Sequence, residues 1–113
     1  MSLQPFDVRS SHAADILIIE VVGELDMATA PRLSEELDGT TDTTRRVVVN
    51  LSEVAFLDSS ALNALVRARR ELTERSITFR AVAPSDRVVR RVFEIAHLVD
   101  ELNLVETLDE ALG

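Results

Sequence analysis

The 113-residue chain has no cysteine, so neither a disulfide framework nor a thiolate metal site is available to it. It also has no lysine. All 12 of its basic residues are arginine, a bias that most simply reflects the base composition of the source genome. Its glycines number three, at positions 23, 39 and 113. A phosphate-binding loop needs a glycine-rich turn and a lysine, so that nucleotide site is excluded. A phospho-receiver domain also relies on a lysine beside its clustered acids, and is excluded on the same ground. The chain has only two histidines, His12 and His97. Neither belongs to a motif, and no Gly-x-Ser-x-Gly elbow surrounds any serine, which argues against serine hydrolysis. For both, an ordinary surface or helix-end role is the simpler reading.

Long apolar runs are missing too. The stretch Ile16 to Val22 is broken by Glu20 and stops at Gly23, well short of the roughly 18 to 20 apolar residues of a membrane span. The N-terminus shows no basic-then-apolar signal pattern. These features predict a soluble, cytoplasmic chain with no membrane span. A formal net charge of −8 weighs against direct nucleic-acid binding, which requires a concentrated basic surface.

What is present is an alternation of short apolar segments at two periodicities. At this length and 46% hydrophobic content, one domain with its own core is expected. Phe6 to Ser10 and Ile16 to Val22 read as an antiparallel strand pair joined through residues 11 to 15, with the second strand central. From Thr29 the period changes. Ala30, Leu33 and Leu37 recur at helical spacing, Pro31 falls in the first turn and Gly39 closes the helix. Val47 to Leu51 reads as a buried strand, followed by a helix from Ser60 to Glu74 and a strand from Ile77 to Val82, which together make a βαβ unit. In that helix Leu62, Leu65, Val66, Arg69 and Leu72 approximate one face, and Arg67 with Glu71 and Arg70 with Glu74 have i,i+4 spacing. Ser85 or Asp86 is expected to cap a further helix with Val88, Val89, Val92, Phe93 and Ala96 inward and Arg87, Arg90 and Arg91 in water. A short strand near Leu104 to Glu106 and a helix from Leu108 complete the pattern.

The chemistry concentrates at Phe56-Leu57-Asp58-Ser59-Ser60-Ala61-Leu62, where an apolar run stops at an acid and two hydroxyls and then turns helical. Asp58 is suited to cap the helix, with Ser59 and Ser60 in its first turn. A helix N-terminus favours anions, so a phosphate added there meets a favourable dipole. Capping alone also accounts for the pattern. A second segment, Gly23-Glu24-Leu25-Asp26, follows a strand and precedes a helix in the same way, so the two acidic turns are candidates for one shared edge. Glu24, Asp26 and Asp58 have the oxygen chemistry of a hard-cation site, but solvated loop acids and helix caps explain all three. The threonines at 40, 41, 43 and 44 read as a solvated loop.

The order Gly23-Glu24-Leu25-Asp26, Val47-Val48-Val49-Asn50-Leu51 and Phe56-Leu57-Asp58-Ser59-Ser60-Ala61-Leu62 resembles the STAS domain of bacterial anti-anti-sigma factors, the anti-sigma factor antagonists. The likeness spans nearly the whole chain. It implies an α/β fold, a STAS-type mixed β-sheet with helices packed mainly on one face, in a single domain over residues 1 to 113. It further implies a protein-binding switch and not an enzyme. The unphosphorylated form would bind an anti-sigma factor that is also a serine kinase, freeing a sigma factor for transcription. The phosphorylated residue of that family maps onto Ser59, with Ser60 the second choice, and Asp26 corresponds to the family's first-loop acid. The implied partner-binding set is Glu24, Asp26, Asp58, Ser59, Ser60 and Ala61. The resemblance implies no cofactor and no metal of the chain's own. ATP and Mg²⁺ belong to the kinase, and a phosphoserine phosphatase resets the switch. Many members carry glycine where this chain has Ala61, so a methyl group is expected at the recognition edge. The alternatives left open are an accessory STAS subunit of a membrane transport system and a scaffold in a sensory assembly.

Overall fold

A computed structural model describes residues 5–113 of the chain. Five strands form one sheet in the order β1-β2-β3-β4-β5, comprising β1 (Asp7–Ala13), β2 (Ile16–Leu25), β3 (Arg46–Leu57), β4 (Thr78–Val82) and β5 (Leu104–Val105). Strands β1 and β2 are antiparallel, and every later pairing is parallel. The connecting helices are α1 (Ala30–Leu37), α2 (Ser59–Glu74) and α3 (Val88–Ile95), with α4 (Leu108–Leu112) at the end of the chain. Each parallel strand lies on the same side of the one before it, so right-handed crossovers bring α1, α2 and α3 to one face of the sheet.

Alternation along β2 sorts the core. Leu17, Ile19, Val21 and Leu25 face the helices and are buried with Val47, Val49, Leu51 and Phe79 from the neighbouring strands. Leu33 of α1, Leu65 and Leu72 of α2, and Val89 and Phe93 of α3 complete this layer. The other face is covered only in part. There α4 lays Ala111 on Val48 and Val82, with Ile16, Val105, Leu108 and Leu112 around them.

Several segments differ from the sequence expectation, each for a local reason. Strand β1 continues to Ala13, because the hairpin closes in two residues with Ala14 at φ 55°, leaving His12 inside the strand. Strand β3 runs on through the Val54-Ala55-Phe56-Leu57 segment and stays paired with β2, the register slipping between Glu20 and Val22 and again between Gly23 and Glu24. Gly23 takes φ 97° at the second slip, a conformation that disfavours side chains with a Cβ. In α2 the buried stripe is Ala61, Leu65, Ala68 and Leu72, so Leu62, Val66 and Arg69 lie on its flank. Arg70 reaches Glu101 across the fold, 3.4 Å away, and leaves Glu74 aside. Helix α3 begins after Arg87 with no side-chain cap, so neither Ser85 nor Asp86 performs that role. Arg90 does not face water. Its guanidinium turns in to donate to the carbonyls of Ala83 and Val105, with Glu94 alongside. Val88 is outward at 77% exposure, and Ala96 lies just past the helix, also exposed.

Two arginines from adjacent strands hold α4 in place. Arg46 donates to the Ala111 and Gly113 carbonyls at 2.9 and 3.0 Å. Arg80 donates to that of Glu110 at 2.9 Å. Cations at a helix C-terminus satisfy carbonyls that have no partner within the helix. A five-residue helix has little stability of its own, so these bonds and the small apolar contact must retain it. Replacing Arg46 and Arg80 together by alanine is expected to cost about 1 to 3 kcal/mol in urea unfolding. Hydrogen exchange should show the Ala111 amide losing protection before the amides of Val47 to Val49 do.

Candidate functional site

The parallel pairing of β2 with β3 brings the two acidic turns to one edge. Leu25 and Leu57 are partners in the ladder, so Asp26 and Asp58 leave the sheet side by side. The backbone N–H of Asp58 donates to the Leu25 carbonyl at 3.2 Å. Its carboxylate then divides its two oxygens. Oδ1 accepts from the Ala61 N–H at 3.1 Å, capping α2 as the sequence suggests, while Oδ2 accepts from the Met27 N–H at 3.2 Å in the β2–α1 turn. One side chain therefore caps a helix and fastens two loops together.

Asp26 is occupied in building its own turn. Its Oδ1 accepts from the backbone N–H groups of Ala28 and Thr29 at 3.0 and 3.1 Å. Thr29 returns the interaction, its Oγ1 accepting from the Asp26 N–H at 2.8 Å and lying 2.9 Å from the Glu24 carbonyl. Glu24 stands apart from this group. Its side chain alternates with the buried Gly23 and Leu25, which places it on the sheet face away from α2, beside Phe56 in the ladder. Phe56 itself is 51% exposed.

The hydroxyl pair is split between two sides of α2. At about 100° per residue, Ser60 falls on the flank of Ala64 and Arg67, which faces α1. A groove of about 450 Å³ runs there between Met27, Pro31, Glu35, Ser60, Ala64 and Arg67. Ser59 is exposed and heads the opposite flank, followed by Leu62, Asn63 and Val66. Ala61 is fully buried in the core. Its methyl group therefore does not face the recognition edge, contrary to the sequence expectation, because position 61 begins the inward stripe continued by Leu65, Ala68 and Leu72. Only its backbone N–H takes part in the edge, as the donor to Asp58.

A part of the site that the sequence reading did not single out lies on α3. Arg90 and Glu94 occupy the flank turned toward β5, which leaves Val88, Val92 and Ile95 on the flank turned toward α2. Val88 and Ile95 are 77% and 72% exposed, and Val92 is half-buried against the core. On the facing side of α2, Leu62 and Val66 are half-buried as well. Ser59 thus heads the flank of α2 that carries Leu62 and Val66, and α3 adds a second aliphatic stripe beyond it. The i, i+4, i+7 spacing of Val88, Val92 and Ile95 was the available signal. It was obscured because Val89 and Phe93 form a second, inward stripe on the same short helix. Away from this edge, Glu106 is held below the ordinary carboxylate range by the Ser85 hydroxyl and the Ser85 backbone N–H, with Arg90 adding to the effect.

The STAS domain family model matches residues 7–111. The anti-sigma-B factor antagonist of Staphylococcus aureus (strain NCTC 8325 / PS 47) is 36% identical over 89 residues, which is 78% of this chain and 82% of that protein. The anti-sigma-B factor antagonist of Staphylococcus epidermidis is 33% identical over 97 residues, 81% of this chain and 85% of that protein. The crystal structure of an anti-sigma factor antagonist from Mycobacterium paratuberculosis superposes with a TM-score of 0.84 at 29% identity, covering 96% of this chain and 92% of that one.

Removing the Asp58 carboxylate tests the double role assigned to it. Asp58→Ala is expected to cost about 1 to 3 kcal/mol in chemical denaturation, the sum of a lost cap and a lost inter-loop hydrogen bond. Asp58→Asn keeps one acceptor oxygen, for the Ala61 N–H, but sets its NH2 against the Met27 N–H, so it should recover the cap and not the inter-loop bond. Backbone NMR shifts in the alanine variant should change at Met27 and Ala28 as well as in the first turn of α2.

Proposed function

The chain belongs to the STAS domain family, and we propose that it is an anti-sigma factor antagonist switched by phosphorylation of Ser59. The unphosphorylated form binds an anti-sigma factor with serine kinase activity and so frees a sigma factor for transcription. ATP and Mg²⁺ are the kinase's, and a phosphoserine phosphatase restores the binding form. The protein works as one cytoplasmic domain, a binding switch and not an enzyme. No helix among the described residues is long and apolar enough to cross a membrane.

The observation that carries this reading is the position of Ser59, exposed at the first turn of α2 and at the head of the apolar face formed by Leu62, Val66, Val88, Val92 and Ile95. Exposed aliphatic residues at a rim of this kind suit a partner that docks on α2 and α3 and reaches the serine from above. The Ser59 hydroxyl attacks the γ-phosphorus of the kinase's ATP, ADP leaves, and the hydroxyl proton passes to a base on the kinase. Ser60 lies on the α1 side of the helix and is a poorer acceptor for a partner seated on α2 and α3.

Phosphate weakens this docking in two ways. It brings a charge of about −1.5 to −2 to a surface that must be desolvated against apolar side chains. It also stands next to the Asp58 carboxylate, which its bonds to both loops hold in place. Two unit charges about 6 Å apart at an effective dielectric of about 20 repel by roughly 2 to 3 kcal/mol before screening, whereas the helix dipole offsets only about 0.3 to 1 kcal/mol. The balance favours loss of binding by at least about tenfold, which needs about 1.4 kcal/mol.

Ser59→Ala is therefore expected to keep partner affinity, to accept no phosphate and to remain in complex when ATP is supplied. Phosphopeptide mapping that places the label on Ser60 or in the threonine loop would overturn the site assignment. Val88→Glu and Ile95→Glu should each lower the kinase affinity of the unphosphorylated protein about tenfold or more while leaving the fold intact, since both side chains are in water in the free chain. Capture from a lysate with the unphosphorylated protein separates this reading from its rivals. Recovery of a serine-kinase anti-sigma factor supports it. A transport ATPase, or a stable multimeric sensory assembly, would contradict it.

A further inference from the structure

We propose that the free edge of the sheet is a self-association seam, at which two copies of this chain pair their β1 strands antiparallel about a two-fold axis at Val8. The two five-stranded sheets would then join into one of ten strands. Among the described residues β1 is bonded only to β2, so its outer side presents the open backbone groups of an edge strand over seven residues. Such edges pair readily unless something prevents it.

The charged side chains on this edge favour this register, which sets residues 5–11 of the two copies opposite one another, over its two immediate neighbours. Asp7 and Arg9 are opposite Val22 and Glu20 and so share the sheet face away from the helices, where they form an exposed ion pair at 2.8 Å. An axis normal to the sheet at Val8 puts Asp7 of each copy opposite Arg9 of the other. The four charges then alternate in sign both along and across the strands, the favourable arrangement for cross-strand pairs. Moving the axis to Asp7 sets the two copies of Asp7 against each other, and moving it to Arg9 does the same with arginine. The charges that permit the Val8 register therefore oppose its neighbours.

The helix layer agrees independently. Helix α1 runs above β1, with the Arg32 guanidinium 4.9 Å from the Phe6 ring centroid and Glu36 Oε2 accepting from the Ser10 hydroxyl at 2.8 Å. Phe6 and Ser10 are equidistant in sequence from Val8, so the same axis exchanges their two levels. Arg32 of one copy then faces Glu36 of the other. With paired strands about 4.8 Å apart and α1 seated over β1 and β2, the two α1 helices would come to about 10 Å, an ordinary packing distance. The Ser59 face lies over β3 and β4, away from the seam, and stays open in both copies.

The test is sedimentation equilibrium of the full chain across a concentration series, with circular dichroism confirming the fold of each variant. The wild type should show a reversible monomer–dimer equilibrium. Asp7→Arg places arginine opposite arginine twice and should weaken the dimer about tenfold or more. The double exchange Asp7→Arg with Arg9→Asp restores the alternating square and should return the dissociation constant to within about threefold of wild type. Arg32→Glu combined with Glu36→Arg should likewise preserve the dimer, while Arg32→Glu alone weakens it. A wild-type chain that stays monomeric up to about 1 mM would overturn the proposal, as would a dimer that Asp7→Arg leaves unchanged.

Discussion

The recognition edge depends on a single carboxylate. Asp58 closes the first turn of α2 with one oxygen and holds the Met27 N–H of the neighbouring loop with the other, while its own N–H is fixed by the Leu25 carbonyl. These three bonds convert the ends of two parallel strands into one rigid rim. Ser59 is the next residue, so its hydroxyl is presented from a position already fixed on three sides. A serine on an unfastened loop would lose conformational freedom on binding, and that cost would be taken from affinity.

On the function proposed above, the same arrangement lets a phosphate on Ser59 weaken partner binding without requiring a change of fold. Helix α2 is anchored below by Ala61, Leu65, Ala68 and Leu72 in the core, and packed interiors resist small displacements. On that proposal the charge would be added to a surface that cannot easily retreat from it. Asp26, often the natural suspect for direct repulsion, spends its carboxylate oxygen Oδ1 on the Ala28 and Thr29 N–H groups, so its part is to shape the turn. The apolar stripe on α3 supplies what the acidic rim lacks, a surface whose burial favours association.

Much of this was legible in the sequence because the signals were local. The capping pattern Asp58-Ser59-Ser60 and the 3.6-residue period of Ala30, Leu33 and Leu37 each act within a few residues, and the fold follows them, whereas β2 runs past Gly23, where the sequence suggested a stop, to Leu25. What escaped was set by tertiary context. Strand β3 extends past Leu51 because β2 supplies a partner beyond that point, which no property of Ser52 or Glu53 announces. Ala61 read as a surface methyl because helix phase depends on where the core lies. Arg90 read as a solvated arginine although carbonyls of Ala83 and Val105, distant in sequence, receive it. Glu24 was grouped with Asp26 by proximity in sequence, whereas β2 ends at Leu25, so Asp26 turns into the loop before α1 while Glu24 stays on the sheet.

The central claim is that the partner docks on the Ser59-headed face of α2 and α3. It is tested most directly by backbone NMR of the isotope-labelled, unphosphorylated chain titrated with its anti-sigma factor. The account predicts that the largest changes fall on Ser59, Leu62, Val66, Val88, Val92 and Ile95, with Met27 and Asp58 at the margin and the β1 edge unaffected. Changes centred on the groove between α1 and α2, or on the open sheet face around Glu24 and Phe56, with α3 undisturbed, would contradict it.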